Sequence, residues 1–263
     1  MEVDPKFQRL ALLTGIEGAK ALRDARVLVF GLGGVGSWCA EALVRSGIGR
    51  IGIVDSDLIC VTNINRQVQA TSLTVGKSKA AVLAERLREI NPRCEVREFE
   101  RVFSRDTRES FDIPGADYLI DAIDSLSHKL DLIEAASAAG VRLYSSMGTA
   151  LKIDPTRLKT ADIWETRGCP LARLVRQGLR KRGFTGNFTA VYSPERLPLQ
   201  TGIGPACGSA HCLCPARNSP AAGEAFPEWC GGKKVINGSA VTVTAAAGMI
   251  LASLVLRDIM NHG

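Results

Sequence analysis

The chain has 263 residues, of which 46% are hydrophobic, and its formal net charge is +6. This size and composition suffice for one large α/β domain over residues 1–263. The positive surplus fits a protein that meets a polyanion, but ordinary enzymes carry as much, so charge alone selects no function. Residues 1–10 lack the basic stretch and apolar core of an export signal. We therefore expect a cytoplasmic protein whose eight cysteines are thiols or metal ligands rather than disulfides.

One stretch without charged residues, from Val235 to Leu256, is long enough to span a bilayer. It is interrupted by several Asn, Gly, Ser and Thr residues. Residues 239–244 alternate β-branched side chains as a strand does, whereas residues 245–256 have the composition of a helix. We therefore expect a strand followed by a buried helix, and no membrane partner.

The other apolar segments alternate between strand-like runs and amphipathic helices, which predicts a doubly wound, mostly parallel α/β sheet of Rossmann-like type. Strands are expected at residues 26–30, 50–55, 94–103, 116–124 and 142–148. Helices are expected at residues 6–24, 37–47, 77–92, 127–140 and 170–183. The pattern weakens after about residue 155, so we expect an irregular lobe over about 156–234.

A glycine cluster follows the first predicted strand, where residues 31–36 read GLGGVG. This G-x-G-x-x-G arrangement allows a tight turn and lets a phosphate approach the backbone at the start of a helix. Asp55 ends the second predicted strand, where a carboxylate can accept both hydroxyls of a ribose. A nicotinamide dehydrogenase and an adenylating enzyme fit this pattern equally well.

Residues beyond Asp55 favour an adenylating enzyme. Arg66 and Lys79 supply two cations that a dinucleotide does not need but a triphosphate does. Asp121 and Asp124 end a further strand, and a carboxylate at the carboxyl end of such a strand faces the ligand crevice and can hold Mg²⁺. Each residue alone is compatible with an ordinary surface or capping role, but their combined order argues against that interpretation.

Residues 6–155 closely resemble the adenylating domain shared by ubiquitin-activating-type enzymes and their bacterial relatives. The resemblance implies ATP and Mg²⁺ as cofactors and a homodimer. It implies a set of nucleotide-binding residues, namely Gly31, Gly33, Gly34, Gly36, Asp55, Asp57, Asn63, Arg66, Lys79 and Asp124. It also implies that Arg66, Lys79 and Asp124 are catalytic, together with Arg9 supplied from the N-terminal helix of a second subunit.

Over the whole chain, the sequence resembles the tRNA threonylcarbamoyladenosine dehydratases of this superfamily. The resemblance is carried by "GVGSWCAEALVRSGIG", "CVTNINRQ", "LIDAIDS" and "GSAVTVTAAAGMILASLVL". It implies that the threonyl carboxylate of a modified adenosine in tRNA attacks the α-phosphate of ATP. A ring then closes within the substrate, and AMP is expelled.

The helix at residues 171–182 gives a separate physical argument for RNA. It carries no acid and five bases, namely Arg173, Arg176, Arg180, Lys181 and Arg182. Leu171, Leu174, Val175 and Leu179 can face inward at helical spacing. Such a helix could lie on a tRNA backbone, and an ordinary solvated face is an equal alternative on this pattern alone.

Two other functions stay open at this point. One is an adenylyltransferase that activates the C terminus of a ubiquitin-like sulfur-carrier protein, which would make a carrier or sulfur-transfer protein the partner. The other is a nicotinamide oxidoreductase, in which Arg66, Lys79 and Asp124 would have no purpose.

Four cysteines lie close together in the predicted irregular lobe, namely Cys207, Cys212, Cys214 and Cys230. Four thiolates can bind Zn²⁺ tetrahedrally and stabilise a loop that has little core. Their spacing is not the paired C-x₂-C pattern, so free or redox thiols and an iron–sulfur cluster remain as alternatives to a structural zinc.

Overall fold

The computed structural model describes residues 3–196 and 237–262, and within them the chain forms seven strands and six α-helices. The strands are β1 (Arg26–Phe30), β2 (Arg50–Val54), β3 (Glu95–Phe99), β4 (Tyr118–Asp121), β5 (Arg142–Ser146), β6 (Lys159–Asp162) and β7 (Thr189–Tyr192). The helices are α1 (Gln8–Asp24), α2 (Gly36–Arg45), α3 (Lys79–Ile90), α4 (Leu126–Ala138), α5 (Pro170–Lys181) and α6 (Val241–His262).

All seven strands belong to one sheet in the order β3-β2-β1-β4-β5-β7-β6. Every neighbouring pair is parallel except β6 and β7. The predicted doubly wound, mostly parallel α/β sheet is therefore confirmed. The strand order reverses direction between β1 and β4, and in such sheets this switch point forms the ligand crevice.

The alternation of side chains along β1 explains the two hydrophobic layers. Val27 and Val29 point to the layer that contains α2, α3 and α6, whereas Leu28 and Phe30 point to the layer that contains α4 and α5. All four side chains are almost completely buried, as is typical of a parallel strand covered on both faces.

The strand expected at residues 239–244 is wrong, because α6 already begins at Val241. Side chains at four-residue intervals, Val243, Ala247, Leu251 and Val255, are fully buried and fix this segment as a helix. Gly248 lets α6 lie close to α2, since a Cβ there would be 2.5 Å from the carbonyl oxygen of Val35. Close helix packing thus outweighs the strand preference of the Val and Thr residues.

Within the described residues, α6 is long and apolar enough to cross a membrane. Nearly half of this apolar stretch, 44%, is buried inside the protein. Its buried face joins the same hydrophobic cluster as β1 and α2. These contacts make α6 a core helix of the sheet, which agrees with the expected buried helix.

The chain after residue 155 contains more regular structure than the sequence pattern predicted. The helix expected at residues 170–183 is present as α5, and β6 and β7 extend the sheet beyond β5. These strands have only four residues each, so their alternation is too short to detect in the sequence.

Candidate active site

The carboxyl ends of the central strands lie side by side. Phe30 at the end of β1 is in register with Val54 of β2 and Asp121 of β4, and Asp121 is in register with Ser145 of β5. The segments that follow these strands therefore meet at one edge of the sheet. The glycine cluster, Asp55 and Asp124 all lie on these segments.

The glycine cluster forms a tight turn between β1 and α2. Gly31 has a φ of +87°, and a Cβ there would lie 2.7 Å from the carbonyl oxygen of Ala122. A Cβ on Gly36 would lie 1.8 Å from the carbonyl oxygen of Gly31, and one on Gly34 would touch Thr244 at 3.0 Å. No described atom lies within 4 Å of a Cβ built on Gly33, so this glycine leaves open space above the backbone. A phosphate fits such a space at the N terminus of α2.

Side chains from two other segments hold this turn at Leu32. The backbone N–H of Leu32 donates to Asp55 Oδ2 at 2.7 Å. Its carbonyl oxygen accepts a hydrogen bond from Gln69 Nε2 at 2.9 Å. Gln69 is 1% exposed, and sequence reasoning did not select it. Two other segments of the chain therefore fix the position of the glycine turn.

Asp55 lies at the rim of the turn, where the sequence places it for a ribose. Its Oδ1 accepts a hydrogen bond from the backbone N–H of Asp57 at 2.8 Å. Burial raises the pKa of Asp55 above its ordinary value, the nearby Lys79 ammonium opposes this rise, and the Asp57 carboxylate adds to it. Each carboxylate oxygen has a further lone pair, so ribose hydroxyls can be accepted beside the existing bonds.

Lys79 is the first residue of α3, and its ammonium lies between two carboxylates. It donates to Asp57 Oδ2 at 2.6 Å and lies 3.7 Å from Asp55 Oδ1. The Lys79 side chain is only 7% exposed, whereas that of Asp57 is 39% exposed. The structure thus brings the predicted ribose acid and one of the predicted phosphate-binding cations together.

Arg66 lies directly over the glycine turn, since a Cβ on Gly34 would be 3.2 Å from Arg66 Cγ. Trp38 Nε1 donates to the Arg66 carbonyl oxygen at 3.0 Å and so fixes the backbone. Burial lowers the pKa of the Arg66 guanidinium, while the charges of Cys60 and Asp124 oppose this change. The guanidinium itself donates to the Thr62 carbonyl oxygen at 2.7 Å and to Asn65 Oδ1 at 3.0 Å.

Asn63 is buried, and its Oδ1 accepts a hydrogen bond from the backbone N–H of Cys60 at 3.0 Å. This bond stabilises the turn that leads to Arg66. The contact of Asn63 with phosphate stays a prediction.

Asp121 does not face the crevice, which corrects the expectation that it joins Asp124 there. Strand β4 ends at Asp121, and its carboxylate is fully buried against Lys129 Nζ at 2.6 Å. The chain continues past the strand for three residues, so Asp124 is exposed at the edge while Asp121 stays inside.

Arg9 lies on the exposed side of α1 rather than among the crevice residues described above. The same helix exposes three large apolar side chains, with Leu12 at 83%, Leu13 at 77% and Ile16 at 61%. Exposed apolar side chains clustered on one helix are typical of a protein interface.

The basic side chains of α5 and of Arg182, which follows it, have different partners in the structure. Arg182 is paired with Asp131 at 2.7 Å and Glu134 at 2.9 Å, and Arg176 donates to Thr166 Oγ1. The Arg180 guanidinium lies over the Trp164 ring, 5.3 Å from its centroid.

Arg173, Arg180 and Lys181 are exposed on α5. Val175 and Leu179 are buried as expected, but Leu174 is 42% exposed and does not face inward.

Neither predicted metal site is assembled by the described side chains alone. Within residues 3–196 and 237–262, no group of three or more His, Cys, Asp or Glu residues is placed to hold a metal ion. Cys207, Cys212, Cys214 and Cys230 lie outside the described residues. Mg²⁺ commonly binds through one or two carboxylates together with substrate phosphates, and the exposed Asp124 beside the glycine turn fits this mode.

Comparison with known proteins identifies the family. The family model described as the ThiF family matches residues 7–262. The chain belongs to the ThiF family.

Relatives of this ThiF-family protein include tRNA threonylcarbamoyladenosine dehydratases. That of Bacillus subtilis (strain 168) is 43% identical over 190 residues, which cover 72% of this chain and 75% of the relative. That of Escherichia coli (strain K12) is 36% identical over 264 residues, covering 97% and 93% of the two chains.

Crystal structures of the E. coli tRNA N6-threonylcarbamoyladenosine dehydratase are similar in fold. The complex of that protein with AMP has a TM-score of 0.83 at 32% identity and covers 100% of this chain and 98% of that chain. Its complex with ATP has a TM-score of 0.79 at the same identity and coverage.

Proposed function

We propose that this ThiF-family protein is an ATP-dependent tRNA threonylcarbamoyladenosine dehydratase. The observation that carries the proposal is the crevice at which the open glycine turn, Asp55 with its neighbour Lys79, and the segments that carry Arg66 and Asp124 come together. Its similarity to dehydratases over nearly the whole chain selects the substrate, a threonylcarbamoyl-adenosine in tRNA. We further propose that residues 1–263 form one adenylating unit and that the reaction takes place in the cytoplasm.

The crevice residues divide the binding of ATP between them. Asp55 accepts the ribose hydroxyls, and the N–H groups at the start of α2 receive the phosphates above Gly33. Arg66 and Lys79 neutralise phosphate charge, for which Lys79 exchanges part of its contact with Asp57. Asp124 would hold Mg²⁺, which when bound supplies charge neutralisation for the departing pyrophosphate.

Activation solves a specific chemical problem, since a carboxylate is a poor electrophile. A carboxylate oxygen of the threonyl group attacks the α-phosphorus of ATP, and pyrophosphate leaves. The carbamoyl group of the same nucleoside then attacks the acyl carbon, the ring closes, and AMP leaves with the carboxylate oxygen. The internal nucleophile is already positioned in the substrate, which replaces a bimolecular step.

The function is tested by nucleoside analysis and by pyrophosphate exchange. Transfer RNA from cells that lack this gene should contain the open threonylcarbamoyl-adenosine and lose only its cyclised form. The purified protein should exchange pyrophosphate into ATP when this tRNA is added. Exchange that depends instead on a ubiquitin-like carrier protein would replace the proposal with the sulfur-carrier adenylyltransferase.

We propose a homodimer in which Arg9 of one subunit completes the crevice of the other. The exposed Leu12, Leu13 and Ile16 support this arrangement, because a second copy would cover them. Mixing Arg9→Ala chains with Asp124→Ala chains should restore activity to about a quarter of wild type, since half of the dimers are mixed and each has one intact site. A mixture as inactive as its parents, with subunit exchange verified by mass spectrometry, would refute sharing of the site.

We propose that the exposed basic side chains of α5 contact tRNA phosphates. Replacing Arg173 and Lys181 with Glu should weaken tRNA binding and reduce the slope of log affinity against log salt by roughly 0.7 to 0.9 per lost contact. The KM for ATP should remain unchanged, because the nucleotide crevice lies on other segments. The matched control reverses Arg88 of α3 and Arg97 of β3, which pair with Glu98 and Glu95. Equal effects of the two double variants would assign the change to net charge and not to α5.

A further inference from the structure

A fully buried ion pair lies directly behind the crevice. The side chains of Asp121 and Lys129 are both 0% exposed, and Lys129 Nζ donates to Asp121 Oδ2 at 2.6 Å. The same carboxylate oxygen accepts a hydrogen bond from Ser145 Oγ at 2.6 Å. Lys129 Nζ also donates to the carbonyl oxygen of Ser146 at 3.0 Å. The cluster thereby links the ends of β4 and β5 to the first turn of α4.

The second oxygen of the same carboxylate acts on the edge of the site. Asp121 Oδ1 accepts a hydrogen bond from the backbone N–H of Ile123 at 3.1 Å. Ile123 is the middle residue of the 122–124 loop, which connects β4 to the crevice residue Asp124. The orientation of the Asp121 carboxylate, fixed by Lys129 and Ser145, therefore sets the path of this loop.

The 122–124 loop forms one wall of the nucleotide site. The carbonyl oxygen of Ala122 lies against Gly31, where a Cβ would be only 2.7 Å away. The Ala122 side chain lies 3.2 Å from a Cβ built on Gly36. At its far end the loop carries the exposed Asp124, whose carboxylate opposes the lowering of the Arg66 pKa. A shift of this loop would therefore move the glycine turn and the acid at the same time.

Stability alone does not explain the buried pair. An ion pair sealed in an apolar interior roughly breaks even against apolar residues of the same volume, because both charges lose their water. The neighbours on α4, Leu130, Leu132 and Ile133, belong to the hydrophobic cluster of this layer. We propose that the Asp121–Lys129 pair, with Ser145, positions the 122–124 loop so that the glycine turn and Asp124 fit the nucleotide. The role of Asp124 in this statement rests on the proposed adenylation, whereas the effect on ATP binding does not.

The test compares two ion pairs at opposite ends of β4 and β5: Asp121 of β4 pairs with Lys129 of α4, and Arg142 of β5 pairs with Asp258 of α6. The first variant is Asp121→Asn/Lys129→Met, which removes both charges at the carboxyl ends of β4 and β5. The matched control is Arg142→Met/Asp258→Asn, which removes the pair at their amino ends, where Tyr118 of β4 donates to Asp258 at 2.7 Å. The third variant, Ser145→Ala, removes one hydrogen bond to Asp121 and leaves both charges in place.

Four quantities are measured for the full-length protein, namely the melting temperature, the Kd for ATP by calorimetry, and the kcat and KM of tRNA-dependent pyrophosphate exchange. Asp121→Asn/Lys129→Met should lower kcat about 10- to 100-fold and raise the Kd for ATP several-fold, because a small misplacement of reacting groups has large effects. The KM for tRNA should stay within about twofold of wild type. The control variant Arg142→Met/Asp258→Asn should change the Kd for ATP, the kcat and the KM by no more than about twofold.

The outcomes are separable. A Kd for ATP and a kcat that match those of the control pair would overturn the positioning role. Should the double variant fail to fold, Ser145→Ala decides, with a several-fold loss of kcat supporting the proposal and wild-type kinetics refuting it. Absence of exchange in the wild-type protein would refute the proposed function, and the Kd for ATP of the same variants would still decide the positioning role.

Discussion

Two lysine–aspartate pairs at the carboxyl edge of the sheet have the same bond length, but their aspartates differ in access to solvent. Lys79 donates to Asp57 and Lys129 donates to Asp121, each at 2.6 Å. The Asp57 side chain is 39% exposed, whereas both members of the second pair are completely buried. The distance alone therefore does not reveal what such a pair does.

The difference in exposure separates a ligand-binding pair from a positioning pair. Because Asp57 reaches water, its carboxylate can release the Lys79 ammonium to a phosphate at little cost. Separating Asp121 from Lys129 would leave an uncompensated charge in the interior. The exposed pair is thus suited to exchange partners during ATP binding, and the buried pair is suited to hold the 122–124 loop.

The largest expected effect is that of Asp124→Ala, which removes the acid at the open end of this loop. Asp124 is exposed, so the variant should unfold at the same urea concentration as wild type while pyrophosphate exchange falls about 100- to 1000-fold. The rate of exchange is measured as incorporation of labelled pyrophosphate into ATP in the presence of the tRNA. The neighbouring Ser127→Ala variant, also exposed, provides the control and should keep near wild-type activity. Exchange by Asp124→Ala at a near wild-type rate would place the active site elsewhere.

The two lysines can be compared by replacing each with Met, which removes the charge and keeps most of the side-chain volume. Lys129→Met leaves Asp121 unpaired in the interior and should lower the free energy of unfolding by about 3–5 kcal/mol. Lys79→Met should lower it by about 1–2 kcal/mol, since water reaches Asp57, and should weaken ATP binding directly. Urea unfolding and ATP titration measure both effects. Equal losses of stability would contradict the distinction between the exposed and the buried pair.

A smaller effect is expected from acidification, which acts on Asp55 beside Lys79 and Asp57. Burial raises the pKa of Asp55, and its protonation would remove the carboxylate that we propose accepts the ribose hydroxyls. ATP affinity should therefore be greatest above this raised pKa and decline as the pH falls through it. The decline should begin at a higher pH than for an aspartate with the ordinary pKa of about 3.9. Asp55→Asn should bind ATP more weakly and without this decline. If ATP affinity falls equally with pH in both proteins, Asp55 does not cause the decline. Protonation of ATP affects both proteins alike and is therefore controlled for.

Local patterns predicted the parts of the site that depend on local geometry. The turn at residues 31–36 needs glycine because a Cβ at Gly31 or Gly36 would meet backbone, so its sequence signal is strong. Asp55 follows β2 directly and lies where a parallel strand must deliver it. Arg66 and the loop that leads to Asp124 both border the glycine turn, as expected for residues of one site.

The rest of the site depends on contacts between distant segments. Asp121 and Asp124 look equivalent in the sequence, and only the end of β4 and the packing of α4 bury the first and expose the second. Lys129 and Gln69 carry no signal, because their partners Asp121 and Leu32 lie on other elements. The Val and Thr residues at the start of α6 predicted a strand, but the fit of this segment against α2 makes it helical.

The most direct test of the proposed adenylation follows the carboxylate oxygen of the substrate. Transfer RNA is prepared with ¹⁸O in the threonyl carboxylate of its threonylcarbamoyl-adenosine and incubated with the protein and ATP. If that carboxylate attacks the α-phosphorus, one labelled oxygen must appear in AMP, and the cyclised nucleoside must keep the other labelled oxygen. Label in inorganic phosphate, formed together with ADP, would show attack on the γ-phosphorus and would contradict the account.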